Sequence, residues 1–199
     1  MPQPVLYFVR HGETDWNRER RLQGQHDIPL NPLGRSQAQR CGTLLRELLG
    51  KDGVGVADYD YVSSPLGRAR ETMEIMRGVM GLDPSAYRTD ARLMEMSFGR
   101  WEGFTYAELQ TREAAALEAR ERDKWGFVLP GGESYAQLEK RVRVWYESIA
   151  RATVASAHGG VCRALMALLK VVQPSEASVG DIGQGVVYVF NGTAMTRHE

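Results

Sequence analysis

The hydrophobic pattern of the chain switches repeatedly between a strand-like and a helix-like period. Val5, Leu6, Tyr7, Phe8 and Val9 form one continuous apolar run, as expected for a strand covered on both faces. Asn31-Pro32 then opens a helix with Leu33, Ala38, Cys41, Leu44, Leu45 and Leu48 at helical spacing, ended by Gly50 and Gly53-Val54-Gly55. Residues 59–63 read as a second strand. Ser64 as N-cap and Pro65 as first helical residue predict a helix with Ala69, Met73, Met76 and Met80 on one face, a core stripe. A short strand is expected within 87–93 and a charged helix from Thr105 to about Arg122, its Glu-Arg run a solvated face. Leu129-Pro130-Gly131-Gly132 is a break. Glu133-Ser134 leads into a helix with Leu138, Val142, Trp145 and Ile149. Residues 153–157 form a strand, 161–171 a helix, and 184–190 with 194–198 a hairpin around Asn191-Gly192.

Strands alternating with helices give an α/β class: a three-layer α/β/α sandwich with a mainly parallel central sheet and one antiparallel edge strand. The 199 residues are read as a single domain, with 99–132 as a cap or lid insertion. Basic and acidic residues balance at 25 each, so no overall field favours nucleic acid or an anionic membrane. Arg outnumbers Lys 21 to 4, which makes each placed cation permanently charged and able to grip an oxyanion through two N–H groups. Two isolated cysteines, Cys41 and Cys162, without zinc spacing, point to a reducing compartment. The first apolar run is five residues long and ends at Arg10, too short for a signal peptide, and no run approaches a bilayer span. A cytoplasmic protein is expected, either monomer or homodimer, with neither nucleic acid nor membrane as partner.

Two turns share one design. Val9-Arg10-His11-Gly12 and Ala157-His158-Gly159-Gly160 each end a strand with a histidine followed by glycine. Ligands of open α/β sheets bind at such strand ends. Gly159 and Gly160 lie at a helix N-terminus, where free N–H groups favour an anion. Arg68, in the first turn of the preceding helix, can reach the same end of the sheet. The motifs Arg10-His11-Gly12-Glu13-Thr14, Asn17, Gln23-Gly24, Ser63-Ser64-Pro65-Leu66-x-Arg68-Ala69, Leu93-x-Glu95, Gly99-x-Trp101-Glu102-Gly103 and His158-Gly159-Gly160 resemble those of the histidine phosphatase superfamily. They stand in family order and span nearly the whole chain. The likeness is to the phosphoglycerate mutase-like branch, which includes alpha-ribazole phosphatase.

The resemblance implies a fold, an activity and a site. His11 would take the phosphoryl group as phosphohistidine. Arg10, Arg68 and His158 would neutralise the equatorial oxygens, with further hydrogen bonds from Thr14, Asn17, Gln23, Gly24 and Gly159. Glu95 would protonate the leaving oxygen and then take a proton from water. Neither metal nor organic cofactor is needed, and the substrate would be a small phosphorylated metabolite. Mutases of this family follow the acid glutamate with an Arg-His-Tyr-Gly type segment, whereas here Met96-Ser97-Phe98-Gly99 follows, and Leu129-Pro130-Gly131-Gly132-Glu133-Ser134 is similar to the phosphatase branch. A phosphatase is therefore expected ahead of a mutase, and a non-catalytic phosphate binder last. Glu102 is assigned to loop support, Trp101 to packing and His26 to the substrate mouth. One departure stands out: residues 153–157 are smaller and more polar than the family's branched apolar run.

Overall fold

The computed structural model describes residues 4–51 and 55–199. Its strands are β1 (Leu6–Arg10), β2 (Asp60–Ser63), β3 (Arg88–Thr89), β4 (Thr153–Ala157), β5 (Val187–Asn191) and β6 (Ala194–His198). The α-helices are α1 (Asp15–Arg18), α2 (Pro32–Gly50), α3 (Gly67–Val79), α4 (Tyr106–Arg112), α5 (Ala114–Arg122), α6 (Tyr135–Glu147), α7 (Gly159–Leu168) and α8 (Pro174–Ala177). The six strands form one sheet in the order β3-β2-β4-β1-β5-β6. β3, β2, β4 and β1 run parallel, β5 is antiparallel to β1, and β6 is antiparallel to β5. The antiparallel edge is thus the terminal hairpin.

The continuous apolar run of β1 has the meaning expected of a strand buried twice. Leu6 and Phe8 enter a core with α6 and α7 residues such as Leu138, Val142 and Leu165. Tyr7 and Val9 enter the opposite core with Cys41, Leu45, Met73 and Met76 from α2 and α3. The methionine stripe is therefore packing. β4 is buried at every position despite its polar composition, because Ser156 donates its hydroxyl proton to the Ala69 carbonyl (2.8 Å) and Thr153 to that of Arg151 (2.8 Å). Its small side chains let α3 approach.

Several expectations change. α3 starts at Gly67, with Leu66 in the N-cap position, so Ser64-Pro65 do not begin it. The Ser64 hydroxyl instead accepts from the Leu66 N–H (3.3 Å) and faces His158. The strand within 87–93 shrinks to Arg88–Thr89, followed by a 3-10 turn at Ala91–Leu93. The charged helix is two helices broken at Glu113, whose φ of −138° and ψ of 35° leave the helical region. Its run is not wholly solvated either. Arg120 is buried, donating to the Tyr106 hydroxyl (2.7 Å) beneath the Trp101 ring. The helix expected at 161–171 is Gly159–Leu168. Gly50 is the last residue of α2, and the proposed stop at Gly53-Val54 lies outside the described residues.

Candidate active site

β2, β4 and β1 are neighbours, in register at Ser63–Ser156 and Arg10–Ala157. Their carboxyl ends therefore bring the turn after β1, the N-terminus of α7 and the first turn of α3 to one place. Close backbone contact holds the first of these turns. A Cβ on Gly12 would lie 2.1 Å from the Gly34 carbonyl oxygen in α2, so only glycine fits. A cavity of about 150 Å³ opens there, lined by Arg10, His11, Asn17, Gln23, Gly24, Arg68, Glu95 and Gly159, together with Arg21, Leu22, Phe98 and Arg163. A larger hollow of about 670 Å³ lies between Tyr106, Gln110, Leu117 and Glu118 on α4 and α5, but its lining holds no cation to bind a phosphate.

Two hydrogen bonds fix the His11 imidazole. Arg68 Nε, which can only donate, lies 3.3 Å from Nε2, and the Gly12 carbonyl, which can only accept, lies 2.8 Å from Nδ1. The proton therefore sits on Nδ1, and the lone pair is on Nε2. Burial, then the charges of Arg68 and Arg10, hold the His11 pKa well below the ordinary imidazole value. His158 is held down in the same direction by burial, Arg68, His11 and Arg10. The two rings lie 5.2 Å apart. His158 Nε2 meets the Ser64 hydroxyl at 2.7 Å, while its buried Nδ1 has no partner.

Of the cavity's four arginines, Arg21 pairs with Glu19 (2.9 Å) and Glu108 (3.0 Å), whereas Arg10, Arg68 and Arg163 are held by backbone carbonyls, not by acids. Arg68 donates to Gly24 (2.7 Å) and His26 (2.5 Å), and Arg10 donates to Ile182 (2.6 Å) while its buried Nε has no partner. Arg163 donates to Gly180 (3.0 Å). Glu95 is the carboxylate whose field reaches all three arginines, and none of them forms an ion pair with it or with any other described carboxylate. Such a cluster is electrostatically incomplete without an anion. Glu95 itself accepts from Met96 N–H (2.8 Å) and from Gly160 N–H (3.1 Å) at the start of α7. A Cβ on Gly160 would lie 2.2 Å from Glu95 Oε1, so the second glycine of the pair makes room for the carboxylate.

The remaining sequence candidates divide. Asn17 Oδ1 accepts from Thr14 N–H (3.1 Å), Thr14 Oγ1 (3.1 Å) and Gln184 Nε2 (3.0 Å), which leaves its amide N–H groups for the cavity. Gln23 lines the cavity with its Oε1 unpartnered. Gly24, at φ +52°, offers its carbonyl to Arg68. Thr14 differs from expectation: it is fully buried, caps α1 and does not line the cavity. Glu102 supports the loop, accepting from Phe98 N–H (3.0 Å) and Gln25 N–H (3.2 Å), and Trp101 is buried. His26 stands against Glu102 and the Trp16 ring and contributes its carbonyl to Arg68. Arg163, which sequence reasoning missed, lies four residues after Gly159, one helical turn along the same face. That spacing was the available signal. The carbonyl-bearing loop 180–184 carried none. Cys162 is an inert core thiol, pushed up to about 12 by burial.

The family model described as histidine phosphatase superfamily (branch 1) matches residues 6–196. The chain belongs to this superfamily. Among curated relatives, the probable phosphoglycerate mutase GpmB of Escherichia coli O1:K1 is 38% identical over 152 residues, covering 72% of this chain and 61% of that protein. The Salmonella paratyphi C counterpart is 36% identical over 69% of this chain and 59% of its own length. The chain thus spans about three fifths of these relatives. Among solved structures, the mycobacterial glucosyl-3-phosphoglycerate phosphatase superposes with a TM-score of 0.77 at 30% identity, covering 94% of this chain and 89% of the other. A protein from Thermus thermophilus gives a TM-score of 0.70 at 32% identity, covering 94% and 93%.

The depressed imidazoles make a pH prediction. Unfolded histidine takes its proton near pH 6.5, whereas His11 and His158 in the folded protein stay neutral well below it. Below about pH 6.5 the unfolded state therefore binds more protons, and stability falls as pH falls, by up to about 1.4 kcal/mol per pH unit for each ring. Above that pH the two rings contribute no slope. Thermal unfolding between pH 7.5 and 5 should show this decline, and His158→Phe should flatten it. An unchanged slope in the variant would overturn the assignment.

Proposed function

We propose that the protein is a phosphomonoester hydrolase working through a phosphohistidine, without metal or organic cofactor, on a small phosphorylated metabolite. The observation that carries this reading is the neutral His11, its Nε2 lone pair beside Arg68 Nε, in a cavity where Arg10, Arg68 and Arg163 have no carboxylate ion-pair partner among the described residues. Nε2 attacks phosphorus, the N–P bond forms and the bond to the leaving oxygen breaks. Glu95 gives that oxygen its proton. Water then attacks phosphorus and returns a proton to Glu95, the N–P electron pair goes back to Nε2, and inorganic phosphate leaves. Arg10 and Arg68 neutralise charge on the equatorial oxygens, and the Nδ1–H of His158, Asn17, Gln23 and the Gly159 N–H add hydrogen bonds. Thr14 acts at one remove, by orienting Asn17.

The mycobacterial phosphatase, also solved as a complex with VO3, supports the hydrolase reading at 31% identity. The curated relatives carry the name probable phosphoglycerate mutase, so transfer within a phosphoglycerate is the alternative that the assay must separate. Segment 99–132 serves as the cap that shapes the mouth. Two buried, unpaired thiols support a cytoplasmic setting, and no described helix is long and apolar enough to cross a membrane. The deciding assay uses chelator-treated protein, p-nitrophenyl phosphate and a panel of alkyl phosphates, with 3-phosphoglycerate interconversion followed in parallel. Phosphate release without interconversion is the expected result. Fast interconversion with little release would make the protein a mutase.

A further inference from the structure

Glu95 sits in irregular backbone just after the Ala91–Leu93 turn, yet a proton donor must be held to within about half an ångström. The segment around it is gripped by one side chain. Arg141, on α6, donates through Nη1 to the carbonyls of Arg92 (2.8 Å) and Met94 (2.7 Å) and through Nη2 to that of Glu95 (3.0 Å). Its Nε and its second Nη2 proton go to Glu133 Oε1 and Oε2, both at 2.9 Å. All five N–H donors are thus spent. Glu133 completes the grip, accepting from Ser97 N–H (2.9 Å) and donating its own N–H to the Ser97 carbonyl (2.8 Å). The backbone is fixed on both sides of Glu95. Neither Arg141 nor Glu133 lines the cavity.

We infer that Arg141, oriented by Glu133, is a positioning residue for Glu95, holding the carboxyl on the path of the leaving group. The inference rests on the proposed acid role of Glu95. A planar fork is needed to serve the three carbonyls of Arg92, Met94 and Glu95 and a carboxylate; the compact ammonium of lysine cannot reproduce it.

The test measures phosphohistidine formation in a single turnover by rapid quench. It compares the best alkyl phosphate of the panel, whose leaving oxygen needs a proton, with 2,4-dinitrophenyl phosphate, whose leaving group does not. General acid catalysis is worth about 10²–10⁴-fold. Arg141→Lys should slow the alkyl ester by about 10²-fold and the aryl ester by less than about threefold. In the Glu95→Gln background, where the acid is gone, Arg141→Lys should cost less than about twofold, because residues acting through one group are not additive. Equal losses on both esters, or full additivity, overturns the inference. If Arg141→Lys does not fold, Glu133→Gln carries the same comparison with the same criteria. Should Glu95→Gln itself show no leaving-group dependence, the acid assignment fails and the inference falls with it. If only the Arg141 and Glu133 variants lack the signature, the assignment stands and the positioning role alone is wrong.

Discussion

His11→Ala lowers kcat by about 10⁶-fold, the scale seen when a covalent nucleophile is removed. The loss follows from the absence of any substitute. Cys162 is a buried core thiol held protonated, and His158 is bonded to Ser64 through Nε2. No described side chain other than His11 presents an imidazole lone pair to the cavity beside Arg68 Nε. Acid-quenched protein incubated with labelled substrate should carry no phosphohistidine. The fold should persist, because the turn is held by the Gly12–Gly34 contact and by the His11 N–H bond to the Ala157 carbonyl (2.9 Å), not by the ring. Turnover at near wild-type rate with an intact fold would remove the phosphohistidine mechanism.

Arg68→Ala should cost about 10²–10³ in kcat, the range for losing one preorganised donor to developing oxyanion charge. Arg68 does two things at once. Its Nε holds the His11 lone-pair side of the ring, and its Nη groups tie the carbonyls of Gly24 and His26 across the cavity. The phosphoenzyme should still form, slowly, which separates this variant from His11→Ala. Inorganic phosphate should also bind more weakly as a product inhibitor, by an amount read from its inhibition constant. A variant with unchanged phosphate affinity and unchanged kcat would place Arg68 outside the anion site.

Much of this was legible because the informative residues are local. The apolar run before Arg10 and the His-Gly turns after β1 and β4 describe strand ends, and parallel strand ends in an α/β sheet share one side. Periodicity found α2, α6 and the hairpin for the same reason: each is an element whose pattern is written within its own length. The misplaced start of α3 shows the limit. Ser64-Pro65 has a strong local capping signature, but the hydroxyl that would cap the helix faces His158, a residue 94 positions away. Arg120 repeats the lesson, since its burial depends on Trp101 and Tyr106 and not on the charged run that contains it.

The sequence by itself determined the fold class and the strand-end turns, and its family resemblance named the candidate groups for binding and attacking a phosphoryl ester. Hydrophobic period, glycine placement and residue chemistry are properties of short segments, and short segments are what a sequence states directly. Only the tertiary structure decided the His11 tautomer, through Arg68 Nε and the Gly12 carbonyl. It also decided that Thr14 turns inward to cap α1, that Arg163 joins the cavity and that Arg141 grips the backbone around Glu95. Each of those outcomes depends on where a directional hydrogen-bond donor meets an acceptor, or where a side chain finds space, across a distance in sequence that no local pattern records.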